Sequence, residues 1–251
     1  MTIRLVTYNI HKGIGGRDRR YDLDRIVGVL KDADADLVCL QEVSIDLPRT
    51  ARHDQARILI EQLQPLSSAY QQNVYWKAGG YGNLILSRWD ILEQHPISLQ
   101  FGTKKPRGAQ LAVINSPDGL LRLANWHLGL SEKERRWQAA HLLAHPQFQA
   151  TAHHPTLLCG DFNDWRNTLG RRILLPQGFA QATFPSGGFR SFPAAMPVMA
   201  LDKCFHCENI VVDSARLIRN RATRQASDHL PLLVEFRLNS YGRGDVSEPG
   251  S

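Results

Sequence analysis

Apolar and polar residues alternate along the chain at two periods, and the changes of period mark the elements. Ile3, Leu5, Val6 and Ile10 among polar neighbours read as a strand over residues 3–10. Leu23, Ile26, Val27 and Leu30 fall at the 3.6-residue spacing of a helix face, and Asp22 just before them is a cap. The run from Asp36 to Glu42 is short and apolar between polar ends, as in a buried strand. Ala56, Leu59, Ile60 and Leu63 return to helical spacing, closed by Pro65. Four strands are predicted over 83–87, 91–99, 110–114 and 120–126, the last two joined by a tight turn at Pro117-Asp118-Gly119. Ser131 with Glu134 is a capping-box pattern that opens a helix through about Ala144. Thr156 to Cys159 reads as another buried strand, and strand-like segments recur over 201–212 and 232–238.

Many strands, few helices and no linker predict one domain over residues 1–238, with two packed sheets and helices outside them. The tail, 239–251, is rich in Gly, Ser and charge, has little to bury, and reads as disordered.

Composition narrows the class. The chain has 251 residues, 43% hydrophobic and 22% charged, enough for one well-buried soluble domain. No apolar run approaches the roughly 20 residues that cross a bilayer. The N-terminus enters a strand pattern at once, without the features of an export signal, so a cytoplasmic protein is expected. Four cysteines do not make a disulfide framework. Cys39 and Cys159 sit in apolar runs as small buried hydrophobes. Cys204 and Cys207 form a C-x-x-C without a second pair, in a stretch where residues three apart face opposite sides, which argues against zinc. A net charge of +6 suits a polyanionic partner. Basic residues group at Lys104-Lys105-Pro106-Arg107, Lys133/Arg135/Arg136, Arg171-Arg172 and Arg216 to Arg224.

The chemistry lies at strand ends. Asn9 follows the first strand, Gln41-Glu42 ends the second, Asn125-Trp126-His127 ends another, Asp161-Phe162-Asn163 follows Leu157-Leu158-Cys159, and Asp228-His229 precedes the last. Carboxylates and amides placed directly after apolar strands can be converged on one point by a rigid sheet. Such oxygen donors suit Mg²⁺ (or Mn²⁺), which takes one or two carboxylates together with water and substrate phosphate.

Tyr8-Asn9-Ile10-His11, Leu40-Gln41-Glu42-Val43, Gly82 to Arg88, Asn125-Trp126-His127-Leu128, Gly160-Asp161-Phe162-Asn163, Leu201-Asp202 and Ser227 to Pro231 follow one another as in the endonuclease/exonuclease/phosphatase superfamily. Over residues 3–238 the chain resembles a bacterial subgroup of this DNase I-like superfamily. The resemblance implies a four-layer α/β/β/α sandwich of two packed, mostly antiparallel sheets, and a divalent-metal-dependent hydrolase of phosphate esters. It implies that Glu42 is the principal metal ligand, with Asn9 and Asp228 beside the metal. Asp161 then orients or deprotonates the attacking water and Asn163 contacts the phosphate. His127 binds phosphate or assists the leaving group, and His229 works at the phosphorus, oriented by Asp202. Whether Asp161 or His229 is the general base is open at this point.

Candidate substrate contacts are His11 and Lys12 beside Asn9, Tyr81 at the site mouth, Arg107, and Arg190. The last is placed with Phe189 on a Gly- and Pro-rich lip over 184–199. The expected activity is a phosphodiesterase or nuclease acting on DNA or RNA. The alternatives are a phosphatase or phospholipid head-group phosphodiesterase on the same site, or a non-catalytic binding module.

Overall fold

The computed structural model of the chain describes residues 1–239. The two-residue period of its strands sends alternate side chains to different layers. In β1 (Ile3–Asn9), Ile3 and Leu5 join one apolar cluster and Val6 and Tyr8 another. β2 (Leu37–Ile45) divides likewise, Leu37 and Cys39 against Val38 and Leu40. These strands pair in parallel within a six-stranded sheet completed by β3 (Ser67–Tyr75), β4 (Gly80–Ser87), β11 (Ile210–Leu217) and β12 (Leu232–Leu238), in the order β11-β12-β1-β2-β4-β3.

The second sheet holds β5 (Ile91–Ser98), β6 (Gly108–Ser116), β7 (Gly119–His127), β8 (Thr156–Asp161), β9 (Ala180–Gln181) and β10 (Asp202–His206), in the order β5-β6-β7-β8-β10-β9. β7 and β8 are parallel and the other pairs in this sheet antiparallel.

The faces that meet between the sheets are lined by Ile3, Leu5, Leu37, Cys39, Ile85, Leu121, Leu123, Leu157, Cys159 and Phe236. Outside the first sheet lie α1 (Leu23–Ala33), α2 (Gln55–Leu63) and α5 (Arg221–Ala226); outside the second lie α3 (Glu132–Ala144) and α4 (Pro146–Ala150). The result is the expected four-layer sandwich.

The helix limits follow their chemistry. The Asp22 side chain accepts from Arg25 N and caps α1, and α2 stops at Leu63, just before Pro65. At α3 only half of the anticipated capping box forms. Ser131 Oγ accepts from Glu134 N, but the Glu134 carboxylate accepts instead from Gln138 Nε2 at 3.4 Å. The strand-like stretch over 201–212 holds β10 and the start of β11, which are separated by 207–209. β3 and α5 have no counterpart among the predicted elements. Cys204 is buried and Cys207 half-buried, and all four cysteines are free thiols. Of the expected tail, Asn239 still donates its N–H to Asn209 O, and residues 240–251 lie outside the described residues.

One gradient positions the site. At one end of the sandwich the inner faces of six strands turn polar: Ile3 and Leu5 give way to Thr7 and Asn9, Cys39 to Gln41, Ile85 to Asn83, Leu123 to Asn125 and His127, Cys159 to Asp161, and Cys204 to Asp202. All eight polar residues are buried. Burial without partners would cost each amide on the order of 1–3 kcal/mol, and the amides answer one another across the two sheets. Gln41 Nε2 donates to Thr7 Oγ1 (3.0 Å) and Asn125 Oδ1 (2.8 Å). Asn125 Nδ2 donates to Leu40 O (3.0 Å), and Asn83 Nδ2 to Gly108 O (3.1 Å) and Asn125 O (3.2 Å). Beneath the site, polar bonds replace hydrocarbon as the seam between the sheets.

Candidate active site

Asp161 is the hub of the polar end. Its Oδ2 accepts from Asn9 Nδ2 at 3.0 Å and lies 3.4 Å from His127 Nε2 and 3.7 Å from His229 Nε2. Its Oδ1 accepts from the backbone N–H of Asn163 at 2.9 Å. Residues from the first strand, the middle of the chain and the start of the last strand thus meet at one carboxylate. Backbone register explains the meeting, because Asp161 pairs with Asp202 across β8 and β10 and with His127 across β7 and β8. Gly160 makes the approach of β8 possible. Its φ is +136°, and a Cβ there would stand 2.0 Å from Trp126 O.

His229 Nδ1 lies 2.8 Å from Asp202 Oδ2. The ring is buried, and Phe192 packs on it at a centroid distance of 4.9 Å. Burial alone would hold the imidazole neutral; the carboxylates of Asp202 and Asp161 outweigh it and push its pKa up to about 10. His229 is therefore an imidazolium at neutral pH, with one N–H committed to Asp202 and the other turned toward Asp161. Burial raises Asp161 to about 6, moderated by His229 and by the Asn9 bond. It is a carboxylate at neutral pH that takes up a proton in mild acid.

His127 has the opposite character. Burial and then the Arg107 guanidinium drive its pKa well below the ordinary value, so it is neutral. Arg107 Nη1 donates to its Nε2 at 2.8 Å, and because a guanidinium cannot accept, the ring proton sits on Nδ1.

Glu42 reaches the site through a bulge. Leu40 pairs with Leu84 and Val43 with Gly82, so Gln41 and Glu42 together face Asn83 alone. Glu42 takes φ +58° there, a conformation that costs a non-glycine residue on the order of 1 kcal/mol or more. Burial works against its charge, but the Lys12 ammonium bonded to its Oε2, helped by His11 and Arg107, holds its pKa below the usual carboxylate range. Lys12 also sits over the Tyr81 ring, 4.5 Å from its centroid, and Lys105 does so at 5.0 Å. Asp228 Oδ2 lies 3.6 Å from His11 Nδ1, and Ser227 Oγ donates to Asn9 O at 2.7 Å, which ties the start of the last strand to the end of the first.

Asn9, His11, Arg107, His127, Asp161, Asn163, Asp202 and His229 are thus linked by direct contacts, with Asp228 beside His11; Lys12 and Glu42 form a separate pair, on which the charges of His11 and Arg107 act. Tyr81 is buried rather than open at the mouth, its ring beneath the ammonium groups. The expected lip is corrected. Arg219 Nη2 donates to the carbonyls of Gly188 and Arg190, fixing a turn that directs Phe189 into the apolar layer between the sheets. Arg190 is exposed, and no contact of its side chain with a site residue is found among the described residues.

Two features were not anticipated. Ser191 and Phe192 buttress the Asp202/His229 pair, Ser191 Oγ accepting from Asp202 N at 3.3 Å and the Phe192 ring lying tilted against the imidazole. Behind Asn163, the buried Lys203 donates to Asp164 O and Asn167 Oδ1, both at 2.6 Å, while Asp164 accepts from Leu169 N at 2.7 Å and fixes the turn. Neither a loop phenylalanine nor a lysine on a strand carries a pattern that marks it in a sequence.

The sequence model of the Endonuclease/Exonuclease/phosphatase family matches residues 6–229. The chain belongs to that family. It is 28% identical over 253 residues to the uncharacterized protein YbhP of Escherichia coli, covering 94% of this chain and 97% of YbhP. Its fold is similar to an endonuclease/exonuclease/phosphatase protein from Beutenbergia cavernae (22% identity, TM-score 0.77, 95% of this chain and 72% of that one). It is also similar to a mannosyl-6-phosphatase from Bacteroides thetaiotaomicron (19% identity, TM-score 0.73, 94% and 100%). Membership of the family supports phosphoester hydrolysis in general, an activity for which the family generally uses divalent metals. Among the described residues no helix is long and apolar enough to cross a membrane.

The donor set fits a hard divalent cation. Among the described residues no three His, Cys, Asp or Glu side chains form a ready cage. A hard divalent cation such as Mg²⁺ is commonly held by one or two carboxylates and keeps several waters. Glu42 is ionised, aimed by its bulge, and already draws the cationic head of Lys12 to its oxygen.

Proposed function

We propose that the chain is a Mg²⁺- or Mn²⁺-dependent phosphodiesterase whose substrates are nucleic acid strands. The convergence of Asn9, His127 and His229 on one oxygen of Asp161 is the observation that carries this reading. Glu42 would hold the cation, with Asn9 and Asp228 alongside. When bound, it supplies charge neutralisation on the phosphoryl oxygens.

The chain's own residues account for the rest. Asp161, ionised above about 6 and buried among donors, accepts the proton of the attacking water. His229, cationic up to about 10 and steadied by Asp202, donates its Nε2 proton toward the phosphoryl group or the leaving oxygen. The protonation states support Asp161 as the base: an imidazolium cannot take a proton at neutral pH, and a carboxylate can. Cationic Arg107 is a donor for a phosphoryl oxygen, neutral His127 steadies that guanidinium by accepting at Nε2, and Asn163 holds Asp161 through its backbone N–H. Exclusion of bulk water by the buried amide seam strengthens each of these interactions.

A panel of single-stranded DNA, duplex DNA, RNA, a nucleotide, a phosphoinositide, a sugar phosphate and bis(p-nitrophenyl) phosphate, each with and without Mg²⁺, tests the proposal. Metal-dependent cleavage of an oligonucleotide is expected. Preference for a phosphomonoester would make the protein a phosphatase. Failure to turn over any of them would contradict the reading.

A further inference from the structure

Beside the polar end of the sandwich runs a cleft of about 480 Å³ lined by Arg17, Ala195, Arg219, Asn220, Arg221, Arg224 and Gln225. Its four arginines are exposed. Some surface arginines are paired with acids, Arg25 with Asp18, Arg88 with Asp36 and Arg237 with Asp213, and others such as Arg49 and Arg136 stand alone among the described residues; what sets these four apart is that they share one concavity. Among the described residues no carboxylate lies within 4.0 Å of any of these four, and no acidic residue lines the cleft. Four like charges crowded into one concavity repel one another, and an anion relieves that repulsion.

The cleft adjoins the candidate site through the backbone. Gly16, next to Arg17, packs so tightly on Asp228 that a Cβ on it would stand 2.6 Å from Asp228 Cα. Ala194, next to Ala195, donates its N–H to Asp228 O at 2.7 Å. Arg221 and Arg224 belong to α5, which runs directly into Ser227-Asp228-His229. The segments that carry these arginines are thus packed on, or continuous with, Asp228 and His229.

We infer that this arginine cleft is a binding site for the phosphates of a nucleic acid strand that flank the scissile one. The inference rests on the phosphodiesterase reading above and names the surface that would select a polymer over a single phosphodiester. A strand fits a concavity lined by guanidinium and amide groups, with Ala195 the one apolar side chain lining it. The guanidinium fork suits bidentate contact with phosphate oxygens.

The test is fluorescence anisotropy with a labelled single-stranded oligonucleotide, in EDTA so that no cleavage occurs, for the wild type and for Arg17→Ala/Arg221→Ala/Arg224→Ala. Arg219 is left in place because it fixes the turn at Gly188 and Arg190. Loss of three phosphate contacts is expected to weaken binding on the order of 100-fold at 0.1 M salt and to flatten the log K against log [salt] slope by about 2. The single variants, each expected to lose about fivefold, serve if the triple variant melts early. Unchanged affinity and slope overturn the inference. So does a triple variant that loses binding to phosphatidylserine vesicles while keeping the oligonucleotide, which would assign the cleft to a lipid surface. Metal-dependent cleavage of the same oligonucleotide by the wild type is read separately. Its absence would remove the phosphodiesterase reading while leaving the binding result to stand or fall by itself.

Discussion

Asp161 and Asp202 are register partners on neighbouring antiparallel strands, and His229 lies between their carboxylates, Nδ1 2.8 Å from Asp202 and Nε2 3.7 Å from Asp161. Two carboxylates so placed would repel if both were ionised and alone; a cation between them settles the arrangement. One strand pair thus supplies both the group that charges the histidine and the group proposed to receive the water's proton.

A pH profile follows from that pair. The base must be unprotonated, so kcat/KM is expected to rise through an acidic limb near 6, where Asp161 loses its proton. The acid must be protonated, so activity is expected to fall only as pH passes about 10, where His229 loses its own. Asp202→Asn removes the nearer carboxylate that holds the imidazolium, and the alkaline limb should move down by more than one pH unit while the acidic limb stays in the same region. An alkaline limb unmoved by this substitution would count against His229 as the acid.

The amide seam should be energetically visible. Asn125→Leu leaves Gln41 Nε2, Leu40 O and Leu84 O with fewer partners in a closed interior. A loss of about 2–4 kcal/mol in urea unfolding is expected. Turnover should fall as well, because Gln41 is the residue immediately before Glu42 in the bulge.

Gly160→Ala tests the approach of β8 to β7. The added methyl meets a backbone carbonyl, which cannot rotate away, at a φ that alanine rarely adopts. Destabilisation of roughly 2 kcal/mol or more is expected, read as a lowered thermal midpoint. A neutral result would show that the strands separate easily there.

Lys12 and a divalent cation contend for the Glu42 carboxylate. Lys12→Met should therefore lower the Mg²⁺ concentration at half-maximal activity several-fold. It should also raise KM for an anionic substrate, because the ammonium released from Glu42 is no longer there to meet phosphate. The two changes have opposite signs, which separates this account from a general loss of structure.

Much of this was legible in the sequence because the chemistry sits on strands. The alternation that places Leu5 and Cys39 between the sheets also places Asn9 and Gln41 there, one or two steps further on. Helix α1 was legible for a similar reason, its cap and apolar stripe both being local. β3 was not, because an edge strand reading Ser-Ser-Ala-Tyr-Gln-Gln-Asn-Val-Tyr buries few apolar residues and carries polar ones on both faces. α5 was hidden for want of length, with Thr223 and Ala226 as its only buried residues. Within the site, residue identities were readable and their protonation was not. That His127 is neutral and His229 charged depends on which of them faces Arg107 and which faces Asp202, a matter of tertiary contact. The lip was misread at Phe189 because the bonds from Arg219 that turn it inward come from a residue some thirty positions away.

The most direct measurement is single-turnover cleavage of the best substrate, at saturating Mg²⁺ and neutral pH, by wild type and Asp161→Asn. The amide is close in shape and can keep the bond to the Asn163 N–H, but it cannot take a proton from water. The account predicts a fall of about 100-fold or more in the chemical step with substrate binding retained. A variant that cleaves at the wild-type rate would contradict it.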